Sequence, residues 1–174
     1  MAKRKIAEVW YGRIDETPID HLWVATAACG LVAVMFRNNE ETFRQHVTKL
    51  AGNGPWRDET KIAAVQDQLL SYLHGELRVF SLDICWDVMT EFQQRSLRQV
   101  FAIPYGETRT YNQIAHEIGQ PKAIRAVGRA NATNPMPLVV PCHRVIGSDG
   151  KLRGFGGGLE TKAQLLRMEG SWLI

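Results

Sequence analysis

The sequence predicts an α/β (α+β) fold, with a small sheet-and-helix domain over residues 1–88 and a mostly helical domain over residues 89–174. Three observations carry this. β-rich runs crowd the first third of the chain, and helical periodicity dominates the remainder. Thr90-Glu91-Phe92-Gln93 is a capping box, with threonine at the N-cap and glutamine at N3, and it marks the start of a new helical region. The charge changes sign near the same place. Residues 1–90 hold 10 Lys+Arg against 12 Asp+Glu, a net −2, whereas residues 91–174 hold 11 against 6, a net +5.

Ile6 to Ile14 alternates apolar and polar residues and predicts a strand. His21 to Ala28 and Leu31 to Phe36 are β-rich runs separated by Cys29-Gly30, the pattern of a hairpin. Asn39 is placed to cap a helix from Glu40 to Leu50, with Phe43, Val47 and Leu50 on one face. Gly52-Asn53-Gly54-Pro55 breaks it. A second helix is expected from Glu59 to Leu73 with Ile62, Val65, Leu69 and Leu73 inward, and Leu77 to Ile84 reads as another strand. Beyond Thr90 a helix should bury Phe92, Leu97, Val100 and Phe101 before Pro104-Tyr105-Gly106 stops it. Thr110 caps a short helix, Tyr111 to Ile118, and Pro121 is suited to the first turn of the next. Two short helices joined by a glycine-containing turn form either a helix-turn-helix or an ordinary helical hairpin. Leu138 to Val140 reads as a strand entering a tight turn at Pro141. Ser148-Asp149-Gly150 is a hairpin signal between Val145-Ile146 and Leu152. A last helix, Glu160 to Glu169, should turn Leu159, Ala163 and Leu166 inward and end at Gly170.

At 174 residues and 45% hydrophobic content the chain can bury a substantial core. Met1-Ala2-Lys3-Arg4-Lys5 is basic, but no apolar segment of the signal-peptide kind follows, and no run approaches membrane-spanning length. Three cysteines without framework spacing fit free thiols in a reducing cytoplasm. Cys29, Cys85, His21, His46 and His74 form no CxxC or HxxxH pair, so no metal site is expected and buried thiols and surface imidazoles are. Gly154-Phe155-Gly156-Gly157-Gly158 is not a phosphate-binding loop, because no Lys-Ser/Thr follows; its glycines suit close approach of backbone to a flat ligand.

The chemistry centres on Cys142-His143. A cysteine is more often a small buried hydrophobe than a nucleophile. As a nucleophile it must be a thiolate, which at neutral pH requires a nearby base or positive charge, and His143 and Arg144 are adjacent candidates. The dipeptide alone leaves both readings open.

Its context resembles the O6-alkylguanine-DNA alkyltransferases (methylated-DNA–protein-cysteine methyltransferases). The motif Pro141-Cys142-His143-Arg144-Val145-Ile146 is that family's active-site signature. It is flanked in order by Ile103-Pro104-Tyr105-Gly106, Thr110-Tyr111, Arg125-Ala126-Val127-Gly128 and Asn134-Pro135 upstream. Gly157-Gly158-Leu159, Lys162, Leu165-Leu166 and Glu169-Gly170 lie downstream. The likeness covers residues 90 to 170; the first 85 or so match only in broad pattern. It implies a ribonuclease H-like N-terminal domain and a winged-helix, helix-turn-helix catalytic domain.

The resemblance also implies a reaction and a set of roles. An O6-alkylguanine (or O4-alkylthymine) in duplex DNA is rotated out of the stack, and its alkyl group passes irreversibly to Cys142, once per molecule and without a cofactor. His143 removes the thiol proton through a water, Glu169 orients the imidazole, Asn134 shapes the turn, and Tyr111 serves the leaving base. Arg125 fills the gap left in the stack. Ala126, Gly128, Arg129, Thr110 and Lys122 complete a DNA surface that enters the minor groove with little regard for sequence, as a monomer that can bind cooperatively along the duplex. Met136, Pro137, Val145, Phe155, Gly156 and Gly157 shape the base pocket, and Lys162 contributes electrostatically. Two departures stand out: Phe155 replaces a frequent tyrosine, and Gly156 replaces a serine or alanine, which would make room for bulkier alkyl groups. Three readings compete: a non-catalytic lesion sensor of the alkyltransferase-like type, a helix-turn-helix regulator with an incidental Cys-His, and a thiol hydrolase. The first usually lacks the cysteine, the second needs a further DNA-binding module, and the third needs an oxyanion hole.

Overall fold

The computed structural model describes residues 4–172, so the basic start Met1-Ala2-Lys3 lies outside the described residues. The chain divides into two compact units, Met1–Met89 and Thr90–Ile174.

The first unit is built on a sheet of order β3-β2-β1-β4. Strands β1 (Val9–Ile14), β2 (Leu22–Ala27) and β3 (Gly30–Phe36) form an antiparallel meander, and the short β4 (Trp56–Arg57) adds in parallel to β1. The run Leu22-Trp23-Val24-Ala25 is buried throughout, as a central strand covered on both faces requires. Helix α1 (Glu40–Ala51) starts where the Asn39 side chain accepts the Thr42 N–H at 2.8 Å and ends at Gly52, whose φ is 70°. Its Phe43 stacks on Trp23 with ring centroids 5.9 Å apart. The helix expected from Glu59 is split. The Asp58 side chain accepts the Thr60 N–H at 3.0 Å and tightens the first turn into a 3-10 segment, Glu59–Ile62; α2 (Ala63–Leu73) comes next.

Two further expectations fail in this unit. Residues 77–84 form no strand; only Ile84 pairs, as an isolated bridge to Leu31. The Gln68 side chain of α2 instead accepts the Ser81 N–H at 2.9 Å and donates to its hydroxyl at 3.0 Å, while Phe80 packs against Tyr72. The segment's bonds are thus spent on the helix rather than on a ladder. The second failure concerns the thiols: Cys29 and Cys85 are joined in a disulfide across 56 residues. The bridge forms where this segment touches the β2–β3 turn, with the Leu31 N–H donating to Asp83 O at 2.8 Å and the Cys85 N–H to Leu31 O at 2.9 Å. Gly30 permits the approach: its φ is 120°, and a Cβ there would collide with the Asp83 carbonyl.

The second unit opens with α3 (Glu91–Phe101), started by the Thr90/Gln93 capping box. Leu97 and Val100 are buried, but Phe101, one residue further round the helix, is 42% exposed rather than inward. A two-residue strand, β5 (Arg109–Thr110), leads into α4 (Tyr111–Glu117), which has its own capping box from Thr110 and Gln113. Helix α5 (Ile124–Ala132) begins later than Pro121 suggested, because the Ala123 N–H closes a turn onto Gln120 O at 2.9 Å first. Leu138 to Val140 is a turn and not a strand: Leu138 has φ 75° and the Val140 N–H donates to Met136 O at 2.9 Å. A 3-10 turn, Cys142–Arg144, is next, and β6 (Val145–Ile146) pairs in parallel with β5. The Asp-Gly turn closes through the Gly147 N–H to Lys151 O and the Gly150 N–H to Gly147 O, both at 2.9 Å, without a ladder beyond it, and Leu152 is in no strand. Helix α6 (Leu159–Met168) buries Thr161, Lys162, Ala163, Leu165 and Leu166. Its first residue, Leu159, is 49% exposed instead of inward. Among the described residues no helix is long and apolar enough to cross a membrane.

Candidate active site

Cys142 opens the 3-10 turn at the end of the self-bonded loop 134–141. Asn134 shapes that loop with both ends of its amide. Nδ2 donates to Val140 O at 2.9 Å and Oδ1 accepts the Met136 N–H at 3.0 Å, which holds the chain in the bend that presents the thiol. Cys142 is 4% exposed. Burial pushes its pKa up to about 11, against the opposing pull of the Asn134 side chain, the Lys162 cation and the backbone N–H groups of Cys142 and His143. In the free protein the thiol is therefore held protonated, with the groups that favour the thiolate already assembled.

His143 and Glu169 lie 26 residues apart in sequence and meet with Nε2 and Oε1 at 2.9 Å, both side chains fully buried. A carboxylate only accepts, so Nε2 carries the hydrogen and Nδ1 is the basic nitrogen. Burial lowers the His143 pKa, opposed by Glu169, so the imidazole is neutral and able to take a proton. Its ring meets Phe155 edge-on at 6.3 Å. Glu169 sits at the C-cap of α6, where the helix dipole disfavours a carboxylate. Arg144 offsets this: Nε donates to Oε2 at 2.9 Å, a terminal nitrogen to Oε1 at 2.8 Å, and the other to Ile103 O at 2.7 Å. Sequence reasoning noticed Arg144 only as nearby positive charge and missed this clamp, because its partner lies on a different helix.

Lys162 is fully buried, and its Nζ donates to Val145 O at 2.7 Å and Arg153 O at 3.1 Å. It lies 6.0 Å from the Tyr111 ring centroid. Burial lowers its pKa to about 8. Tyr111, half-buried at the start of α4, has its pKa raised, first by burial; the Asn131 amide and the Arg153 cation oppose this.

The expected pocket residues Met136, Pro137 and Val145 are buried around this centre, Gly157 is buried, and Phe155 is half-buried. Gly156 is exposed, and a Cβ there would meet nothing within 4 Å. The expected DNA residues are not gathered into the buried centre. Arg125, Arg129 and Lys122 are exposed, and Ala126 and Gly128 are half-buried on α5, with no atom within 4 Å of where a Gly128 Cβ would stand. Thr110 serves as the N-cap of α4. Asn131, on the buried side of α5, was not singled out from the sequence, although a polar residue one turn after Val127 on an apolar face was a signal for it.

Residues 91–171 match the family model described as 6-O-methylguanine DNA methyltransferase, DNA binding domain. A methylated-DNA–protein-cysteine methyltransferase of Mycobacterium tuberculosis is 43% identical, covering 94% of this chain and 93% of that one. One of Methanosarcina acetivorans is 42% identical, covering 92% of this chain and 99% of that one. Among solved structures, M. tuberculosis OGT in complex with DNA superposes with a TM-score of 0.77 at 42% identity, covering 93% of each chain. With the Pro141-Cys142-His143-Arg144 turn and relay in place, these likenesses show that the chain belongs to the methylated-DNA–protein-cysteine methyltransferase family.

Proposed function

We propose that this chain repairs O6-alkylguanine in duplex DNA by transferring the alkyl group to Cys142, once per molecule. The observation that carries this reading is the buried Cys142 thiol set among thiolate-favouring groups, beside the bonded His143, Glu169 and Arg144, on the loop that comes after the α4–α5 helix pair. His143 takes the thiol proton through a bridging water. Sulfur attacks the alkyl carbon, an S–C bond forms, and the C–O6 bond breaks with its electrons remaining on guanine. A proton from the Tyr111 hydroxyl reaches the departing base, and the proton held by His143 returns through solvent to the tyrosinate. One thiol proton is thereby exchanged for one alkyl group, and no cofactor is consumed. Lys162 favours the thiolate, Asn134 keeps the turn shaped, and Met136, Pro137, Val145, Phe155, Gly156 and Gly157 receive the flipped base.

The exposed face of α5 is the DNA surface. Arg125 enters the stack, Ala126 and Gly128 allow close approach from the minor groove, and Arg129 and Lys122 meet phosphates, so binding is largely independent of sequence. The protein acts as a monomer in the cytoplasm, a placement that now rests on its duplex DNA substrate and the free Cys142 thiol, since the Cys29–Cys85 disulfide removes the argument from three free thiols. The antiparallel meander with β4 added in parallel to β1 supports a ribonuclease H-like first unit, and the β5–β6 pair beside α4 and α5 supports a winged-helix second unit.

The test is to incubate duplex DNA containing O6-methylguanine with the protein, digest the DNA and quantify guanine restored at the lesion. Wild type restores it up to one equivalent. Cys142→Ala restores none while still binding duplex. Restoration by Cys142→Ala would refute the assignment, and binding without restoration by wild type would favour the lesion-sensor reading.

A further inference from the structure

Asn131 occupies a position where packing calls for an apolar side chain. It lies one turn beyond Val127 on α5, next to Ala130, and all three are buried, Asn131 at 5% exposure. A buried amide costs free energy unless its groups are bonded, and asparagine is a poor residue within a helix. Its hydrogen bond goes to the nucleophile residue itself: Nδ2 donates to the Cys142 carbonyl at 3.2 Å. Its Oδ1 is buried and accepts no hydrogen bond among the described residues. The amide also acts on Tyr111 of the neighbouring α4, where it opposes the rise in the phenol pKa that burial causes. A residue that only stapled the turn to α5 would need the carbonyl bond alone.

We propose that Asn131 is a positioning residue for alkyl transfer, which bonds the Cys142 carbonyl and braces the Tyr111 hydroxyl so that nucleophile and proton donor keep a fixed separation. This deepens the reading above and rests on it. An amide NH₂ carries two hydrogens, so one can serve the carbonyl while the other faces the phenol oxygen. As Tyr111 releases its proton to the departing base, that N–H stabilises the tyrosinate, in the direction in which Asn131 already acts on the resting phenol. The same helix carries Arg125 on its exposed face, so the element that meets DNA also holds the two reacting residues in register.

A double-mutant cycle tests this. Single-turnover transfer from O6-methylguanine duplex is measured at saturating protein for wild type, Asn131→Leu, Tyr111→Phe and the double variant, with affinity for unmodified duplex measured alongside. Asn131→Leu is expected to slow transfer about 10- to 100-fold, with duplex affinity unchanged. In the Tyr111→Phe background the same substitution should cost at least about threefold less than in wild type, because only the bond to the Cys142 carbonyl is then left to lose. Equal losses in both backgrounds, or no loss in either, would overturn the proposal. Should Asn131→Leu fail to fold, the near-isosteric Asn131→Asp decides by the same cycle, since it removes the N–H donors and keeps the volume; transfer at the wild-type rate would then sink the idea. If wild type itself leaves no alkyl group on Cys142, it is the alkyl-transfer reading that fails; alkylated wild type with additive losses rejects Asn131 alone.

Discussion

The two units of this chain bury different things. Among the described residues, every buried side chain of the polar and charged types belongs to the second unit: Ser96, Asn131, His143, Arg144, Thr161, Lys162 and Glu169. The first unit buries apolar and aromatic side chains, keeps its ion pairs (Arg57 with Glu40 and Glu59 among them) about half exposed, and adds a disulfide. Exposed pairs of this kind contribute little to stability, whereas a disulfide and a well-packed core contribute much. The first unit is thus arranged for stability. The second holds two cations, a carboxylate and an imidazole away from water, a costly arrangement that makes sense where their charges act on a reacting group.

Breaking the buried relay should have the largest effect. Glu169→Gln leaves the Arg144 guanidinium without its counter-charge; denaturant unfolding should show a loss of about 3–5 kcal/mol. Transfer should slow roughly hundredfold, as the base loses its orienting partner. Next comes the first unit's staple: replacing Cys29 and Cys85 together by alanine should cost about 2–4 kcal/mol while single-turnover transfer stays at the wild-type rate. A loss of transfer there would blur the division between the units. The pH dependence sharpens it from the other side. Lys162 is cationic below about pH 8 and neutral above, so its attraction for the thiolate is present below that pH and lost as pH rises through it. Wild-type transfer should rise with pH as Cys142 ionises and bend near pH 8, whereas Lys162→Met should be about tenfold slower and show no bend. The smallest effect is expected at the Thr110 cap, where Thr110→Ala should cost about 1 kcal/mol in thermal unfolding.

The legible part of the sequence was local. Asn39, Thr90 and Thr110 announced their helices because a cap is a bond between residues three apart. The disulfide was not legible, since its cysteines meet only after β3 and the segment before Trp86 have come together. Leu138 to Val140 misled because three apolar residues in a row suit a strand or a buried turn, and the Asn134 amide decides for the turn. In the site, Cys142, His143 and Glu169 were named from a motif and its family likeness, and the fold brings the last two within hydrogen-bond distance. Arg144 and Asn131 escaped because their parts depend on which way a side chain faces: Arg144 turns to α6 and Asn131 to the Cys142 carbonyl.

The most direct measurement is a peptide mass map of the protein after exposure to excess duplex containing O6-methylguanine. Transfer to Cys142 predicts one methyl group per chain, carried on the peptide that holds this residue, with no further repair once every chain is modified. A methyl group on any other peptide, or guanine restored beyond one equivalent per chain, would contradict it.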